Sequence, residues 1–341
     1  MVKKQELLRL ENIKLMMKTS TSWEVVLEDV NLVLYDGEIT GIFAEFNSRG
    51  ELIQRLITGD LDEQKYKLQT GKMYVKGTEV NPLTSFYKEQ KTKQTITYLA
   101  SNTHNYANTK AKDILIPIIR SSSEGRRLSY QQVYMLVYKF ISQNSVLDTS
   151  FVLERKYKDL TQPEKIIVDV FVALLSTSEV IVVPDFISDV SQTDQLSILT
   201  LIASYISWRK KTLLIASKSL KILSQISNNI GIVYEGKIIE YGKAREITHN
   251  SRHPYTWSSL LSEQMYDMIG KNYHQSEYST DTVGDSFTKI SKYSTPLCAH
   301  IKPPVTNVSS THWVYYWATA MKIPMPKPME LKQLILKGEV F

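Results

Sequence analysis

The stretch from Gly37 to Gly59, GEITGIFAEFNSRGELIQRLITG, constrains the fold more than any other part of this chain. An apolar run from Ile39 to Phe43 reads as a buried strand. A short polar loop follows, and Leu52, Ile53, Leu56 and Ile57 then recur at helical spacing. Strand, loop and helix N-terminus make a frame on which a chain can hold phosphate. Such a loop needs glycines so that backbone N–H groups can wrap the anion, a lysine for its outer oxygens, and Ser or Thr for Mg²⁺. Here Ala44, Asn47 and Arg49 stand at the three glycine positions, Gly50 at the lysine position and Glu51 at the hydroxyl position. A carboxylate at residue 51 repels a phosphate. On these residues alone an ordinary βα turn is the favoured reading.

Composition narrows the classes. A chain of 341 residues has room for two or three structural units and a sizeable core. Hydrophobic residues make up 43%, yet no uninterrupted apolar run reaches the about 18 residues needed to span a membrane, so a soluble globular protein is expected. The opening MVKKQELLRLEN carries charges but no apolar segment of the secretory kind. A single cysteine, Cys298, excludes a disulfide framework and points to a reducing compartment. The net charge is +6, from 41 basic and 35 acidic residues. It is spread along the chain, with Arg209-Lys210-Lys211 as its largest cluster, and reads as a solvated basic surface.

Short β-rich runs come first: Leu7 to Met17, Val25 to Leu34 and Met73 to Val75, with turns at Asp36-Gly37 and Lys76-Gly77. A mostly helical stretch is expected from Lys110 to Leu160, including a helix over Leu128 to Ser142. An apolar helix, Ile166 to Leu175, precedes a buried strand, Val180 to Val183. Leu213 to Ala216 is another strand, and Ile230 to Tyr234 with Lys237 to Glu240 reads as a hairpin through Glu235-Gly236. The segment from Tyr266 to Pro304, rich in Tyr, Ser, Thr and His, has little periodicity and is expected to form loops.

The strand at Val180 sets a second test. A phosphate-hydrolysing site needs this strand to end in Asp, to order Mg²⁺, and then Glu, to activate water. The chain reads VIVVPDF, with Pro184 and Asp185 at those positions. Proline supplies neither carboxylate nor N–H, and a lone Asp at a strand end is usually a turn or cap residue. Ahead of the helix, Thr161 suits an N-cap and Pro163 the first turn, so a purely structural reading of LTQPE is available.

The order of these pieces, with two motifs near the end, resembles the ATP-binding subunits of ABC importers for oligopeptides and dipeptides. Residues 231–262 carry the likeness: a hairpin with Glu240-Tyr241-Gly242, then Arg252-His253-Pro254-Tyr255-Thr256. Gly284 to Phe287 (GDSF) and Thr311 to Trp313 (THW) resemble the C-terminal extension of the D-type subunit of Gram-positive bacteria, a version without a cysteine cluster. The resemblance implies an α/β fold of the ABC ATPase kind: a P-loop NTPase, RecA-like core with an antiparallel β subdomain, a helical insertion and a C-terminal extension. The implied division is 1–105 for the β and P-loop-like part, 106–165 for the helical subdomain, 166–250 for the rest of the core and 251–341 for the extension.

Carried residue by residue, the family pattern fails repeatedly. The P-loop lysine falls on Gly50 and the Mg²⁺ hydroxyl on Glu51. The Q-loop glutamine falls on Ala100. The signature motif falls on Leu160 to Glu164, with its glycines at Gln162 and Pro163. The D-loop aspartate falls on Ser191 and the switch histidine on Lys218. The adenine-stacking aromatic falls near Met17, with Trp23 as a substitute. A one-residue shift would put Asp185 at the metal-ordering position and Phe186 at the catalytic one, and either alignment removes hydrolysis. The resemblance therefore implies a non-hydrolysing subunit with no cofactor in its own P-loop, and with ATP and Mg²⁺ confined to a partner's site. Its implied partners are a second ABC ATPase subunit, two transmembrane permease subunits at the cytoplasmic face of the plasma membrane and, indirectly, an extracellular peptide-binding lipoprotein. Nucleic acid is not expected as a partner; the rival reading is a free cytosolic protein of this fold that binds nucleic acid or another partner through its basic surface. His249 and His253 lie four apart but across a loop, and Cys298 with His300 offers two ligands at best, so no metal is expected.

Overall fold

The computed structural model describes residues 4–45, 48–84, 95–99, 106–121, 125–142, 149–175, 178–185, 190–209, 211–269 and 301–323. The strands are β1 (Glu6–Lys18), β2 (Trp23–Tyr35), β3 (Ile39–Ala44), β4 (Tyr66–Val75), β5 (Thr78–Val80), β6 (Ile96–Tyr98), β7 (Val180–Val183), β8 (Thr212–Ser217), β9 (Asn229–Tyr234), β10 (Lys237–Lys243), β11 (Val305–Asn307) and β12 (Trp313–Tyr315). The α-helices are α1 (Gly50–Thr58), α2 (Ala111–Ser121), α3 (Tyr130–Ser142), α4 (Thr149–Glu154), α5 (Gln162–Leu175), α6 (Gln192–Arg209), α7 (Leu220–Ile226), α8 (Ala244–Asn250), α9 (Pro254–Ile269) and α10 (Trp317–Ala320). The chain divides into two compact units. One takes Met1–Ile39 and Glu51–Ala216; the other takes Thr40–Gly50 and Ser217–Phe341.

The first unit contains an antiparallel sheet in the order β2-β1-β4-β5. Alternation makes its buried face: Leu8, Leu10, Ile13 and Leu15 of β1 and Leu27, Val30, Leu32 and Leu34 of β2 are almost fully buried. The alternation breaks at Asn12, whose φ of 48° interrupts the pairing of β1 with both neighbours. Gly71 of β4 sits against that bulge; a Cβ there would lie 2.5 Å from the Asn12 carbonyl oxygen. β4 starts at Tyr66, not at Met73 as expected. Its first half, YKLQTGK, has no apolar period, and pairing with β1, as at Leu15–Leu68, makes it a strand. Lys76 and Gly77, both at positive φ, close the two-residue turn into β5.

The same unit has parallel strands β6, β7 and β8, with β7 between the other two. Every residue of β7 and β8 is buried, as expected of strands covered on both faces. In the helical stretch, α3 begins at Tyr130, two residues later than expected. Ser129 and Gln132 form a reciprocal cap there: the Ser129 N–H donates to Gln132 Oε1 and the Gln132 N–H to Ser129 Oγ. Val133 and Val137 are buried, whereas Leu136, three residues on from Val133 at helical spacing, is 44% exposed, as are Tyr130 and Met135 in similar degree.

The second unit pairs β3 in parallel with β9 and continues antiparallel through β10 and β12 to β11. The β9–β10 hairpin turns through Glu235 and Gly236, both at positive φ, as the sequence predicts. α9 runs to Ile269, so the first residues of the segment expected to be loops from Tyr266 are helical instead; they continue a helix that opens at Pro254, where proline suits the first turn. GDSF, Cys298 and His300 lie outside the described residues.

Candidate functional site

The β3–α1 loop is tied internally, within the second unit. The Ser48 N–H donates to the Glu45 carbonyl at 3.0 Å, and the Gly236 N–H, from the hairpin turn, donates to the Ser48 carbonyl at 2.9 Å. The Gly50 N–H donates to Ser48 Oγ at 3.4 Å. The Glu45 carboxylate accepts the Tyr255 hydroxyl at 2.7 Å, and the Tyr255 ring packs against Phe43 and Tyr234 at centroid distances of 6.1 and 4.8 Å. Arg49 holds a φ of 66°, in the left-handed region where a glycine is at ease and an arginine is strained.

Gly50 opens α1, and a Cβ built on it would lie 2.4 Å from the Ala44 Cβ. The two positions are therefore reciprocal. A phosphate-binding loop has glycine at the strand end and lysine at the helix start; here the methyl is at the strand end and the bare Cα at the helix start. Gly50→Ala is accordingly expected to cost about 1–3 kcal/mol by overpacking. Ala44→Gly in the same chain should recover most of that loss. Urea unfolding of the two single variants and the double variant checks this, and equal losses in both backgrounds would remove the steric link.

In the first unit, Glu51 is exposed and faces Arg55 one turn on, at 3.9 Å, while Arg55 also reaches Asp60 at 3.3 Å. Burial, together with the charges of Glu51 and Asp60, holds the Tyr98 phenol above its ordinary pKa, with Arg55 opposing. Buried Gln54 donates from Nε2 to the Val183 carbonyl at 2.9 Å and so ties α1 to the end of β7. Half-buried Pro184 and Asp185 follow directly.

Of the remaining expected site positions, Gln162, Pro163 and Ser191 occupy helix starts. Gln162, exposed, and Pro163 open α5; Glu164 accepts the Thr161 N–H at 2.7 Å and pairs with Arg155. Ser191 caps α6, accepting the Asp194 N–H at 3.2 Å and donating to Asp194 Oδ2 at 2.7 Å. Exposed Lys218 follows β8. Asn47 and Ala100 lie outside the described residues.

A second cluster, which sequence reasoning missed, centres on Glu240 of β10. This carboxylate is fully buried in the second unit and accepts four hydrogen bonds. They come from the Arg252 N–H, the His253 N–H at 3.2 Å, Thr256 Oγ1 at 2.6 Å and His312 Nε2 at 2.8 Å. Gly242 makes room for the His312 ring: a Cβ there would lie 3.2 Å from the ring carbons. Three of the four motifs that carried the resemblance, EYG, RHPYT and THW, are thus one hydrogen-bonded assembly. The available signal was a lone carboxylate in an apolar strand, followed two residues later by glycine. His253, itself fully buried, is driven by burial to a pKa of about 3 and stays neutral, which lets its Nδ1 accept the Tyr255 N–H at 3.2 Å.

The solved structures that this architecture matches are ATP-binding cassettes. The dimeric bacterial ABC transporter cassette MJ0796 gives a TM-score of 0.56 at 15% identity, covering 70% of this chain and 99% of that one. CbiO1 from Clostridium perfringens gives 0.58 at 12%, covering 78% and 97%. The fold is that of an ABC ATPase: P-loop NTPase-type α/β strands and helices, an antiparallel β part and a helical insertion. Among curated proteins, the chain is 23% identical over 323 residues to the oligopeptide transport ATP-binding protein AmiE of Streptococcus pneumoniae, spanning 90% of this chain and 88% of that protein. It is 24% identical over 164 residues to the oligopeptide transport ATP-binding protein OppD of Bacillus subtilis, 46% of each. No family model matches.

Proposed function

We propose that this chain is a non-hydrolysing, cassette-fold subunit of a peptide importer, assembled with a second, ATP-binding subunit on two permease subunits at the cytoplasmic face of the membrane. The end-to-end similarity to AmiE supports the transporter part. The observation that carries the non-hydrolysing part is the Ala44–Gly50 exchange, because it leaves no room for a lysine where the phosphates would need one. Pro184 in place of the metal-ordering carboxylate and Gln162-Pro163 in place of the signature glycines act in the same direction. Nucleotide, on this reading, is held by the partner's P-loop, and this chain transmits or scaffolds.

The helical stretch is the face offered to the permease. Tyr130, Met135 and Leu136 of α3 expose apolar surface; Tyr130 lines a cleft of about 480 Å³ with Asp113, Ile116, Pro117, Arg120 and Arg126, and Met135 and Leu136 line a separate one with Gln131, Gln132, Tyr138 and Lys139. Arg126→Glu with Arg127→Glu is expected to reduce co-purification with permease subunits from detergent-solubilised membranes severalfold. The thermal transition of the isolated chain should stay unchanged, as for other exposed substitutions. Full assembly across a panel of such surface variants would reject docking through this face, and failure of the wild-type chain to co-purify with any permease would reject the importer reading.

A further inference from the structure

We infer that the C-terminal module, residues 301–323 with β11, β12 and α10, sets the position of Glu45 and Ser48–Gly50 at the β3–α1 connection through a continuous relay, Tyr316/His312–Glu240–turn 252–256–Tyr255–Glu45. Every link lies in the second unit. The module contributes two contacts: His312 Nε2 donates to Glu240 at 2.8 Å, and the Tyr316 ring lies 5.4 Å from the His253 ring. Glu240 receives the turn itself, through the Arg252 and His253 N–H groups and Thr256 Oγ1. The turn aims Tyr255, whose N–H is held by His253 Nδ1 and whose hydroxyl reaches Glu45 at 2.7 Å. Glu45 in turn receives the Ser48 N–H on its carbonyl, and Ser48 Oγ receives the Gly50 N–H. His312, Tyr316, Glu240, His253, Thr256 and Tyr255 are all buried, so the bonds among them are made away from competing water, while the links through the Arg252 N–H and from the Tyr255 hydroxyl to Glu45 are half-buried.

Buried networks of this kind have few alternative arrangements, because a displaced partner leaves a carboxylate or N–H unsatisfied. A module shifted by its own partner would move His312 and with it the turn and Tyr255. The loop would then report the state of the C-terminal module whether or not it ever meets a nucleotide, so the relay stands apart from the question of hydrolysis. A second anchor steadies the module end: Ser309 and Thr311 donate to Glu246 at 2.6 and 2.8 Å.

Hydrogen exchange on the full chain tests the relay as a double-mutant cycle. His312→Ala should accelerate exchange of the Ser48, Arg49 and Gly50 amides on the order of tenfold, since it removes a donor to a buried carboxylate. Tyr255→Phe, which deletes only the hydroxyl, should raise exchange at the same amides. In the Tyr255→Phe background, adding His312→Ala should change them little further. Should His312→Ala fail to fold, Thr256→Val breaks the same carboxylate's shell and carries the same expectation. Unchanged loop exchange on breaking the Glu240 shell, or an equal increase with and without the Tyr255 hydroxyl, would overturn the relay.

Discussion

Gly50→Lys with Glu51→Ser, made together, is expected to leave steady-state ATP turnover at least about 10³-fold below that of an intact cassette. The pair returns the lysine and the metal-binding hydroxyl. It does not return the metal-ordering carboxylate at Pro184, the base at Asp185 or the switch histidine at Lys218. Each missing group in phosphoryl transfer is worth on the order of 10³, or about 4 kcal/mol of barrier, and such groups act as a unit, so partial repair recovers little. The new lysine also meets the Ala44 methyl, 2.4 Å from where its Cβ must go. Adding Ala44→Gly should restore folding stability and still give no turnover. Before repair, calorimetric titration of the isolated chain with Mg·ATP should show no micromolar, Mg²⁺-dependent binding. Turnover near that of an intact relative in the two-residue variant would mean that the remaining substitutions do not disable the site.

The largest stability effect should come from residue 240. Glu240→Ala removes the acceptor for four donors inside a fully buried cluster and is expected to cost about 3–5 kcal/mol, read as a lower urea midpoint at constant slope. Glu240→Gln keeps the shape and should cost less. The neighbouring Glu246 adds a pH dependence of known sign. Burial raises its pKa, but the hydrogen bonds from Ser309, Thr311 and the Lys243 N–H, with the charge of His312, outweigh burial and leave it below the ordinary 4.5. A carboxyl whose folded pKa is depressed contributes stability that is present above its unfolded value and lost as pH falls through the folded one. The stacked pair Trp313–Tyr241, with centroids 5.8 Å apart, reports on this module, so Trp313 fluorescence should change on acidification below about pH 4.5. That acid response should shrink in Glu246→Gln. An identical response in both proteins would remove Glu246 as its source.

Much of this fold was legible in the sequence, because its core elements carry strong periods. β1, β2, β7, β8 and the β9–β10 hairpin announce themselves by alternation, by continuous apolar runs, or by a two-residue turn ending in glycine. What escaped was set by partners distant in the chain. The first half of β4 is a strand only because β1 lies beside it, and Leu136 follows a helical period yet faces outward. The site divides in the same way. The residues at the expected lysine, hydroxyl and carboxylate positions can be read one at a time. The Ala44–Gly50 exchange and the Glu240 cluster are relations between residues, and they became visible only when six or seventy-two positions of chain were folded back on themselves.

The contact between residues 44 and 50 also dictates an order of events. A lysine at residue 50 fits without strain only once residue 44 has given up its methyl, because otherwise two carbons contend for the same space. The permitted first step, glycine at the end of β3, carries its own cost of roughly 0.5–1 kcal/mol in backbone freedom and confers no chemistry while Pro184 and Lys218 stand where they do. On the proposed reading, each of these two single substitutions therefore lowers stability before any phosphate contact is gained. Packing thus couples the two positions, so that what residue 50 can be is decided by what residue 44 is.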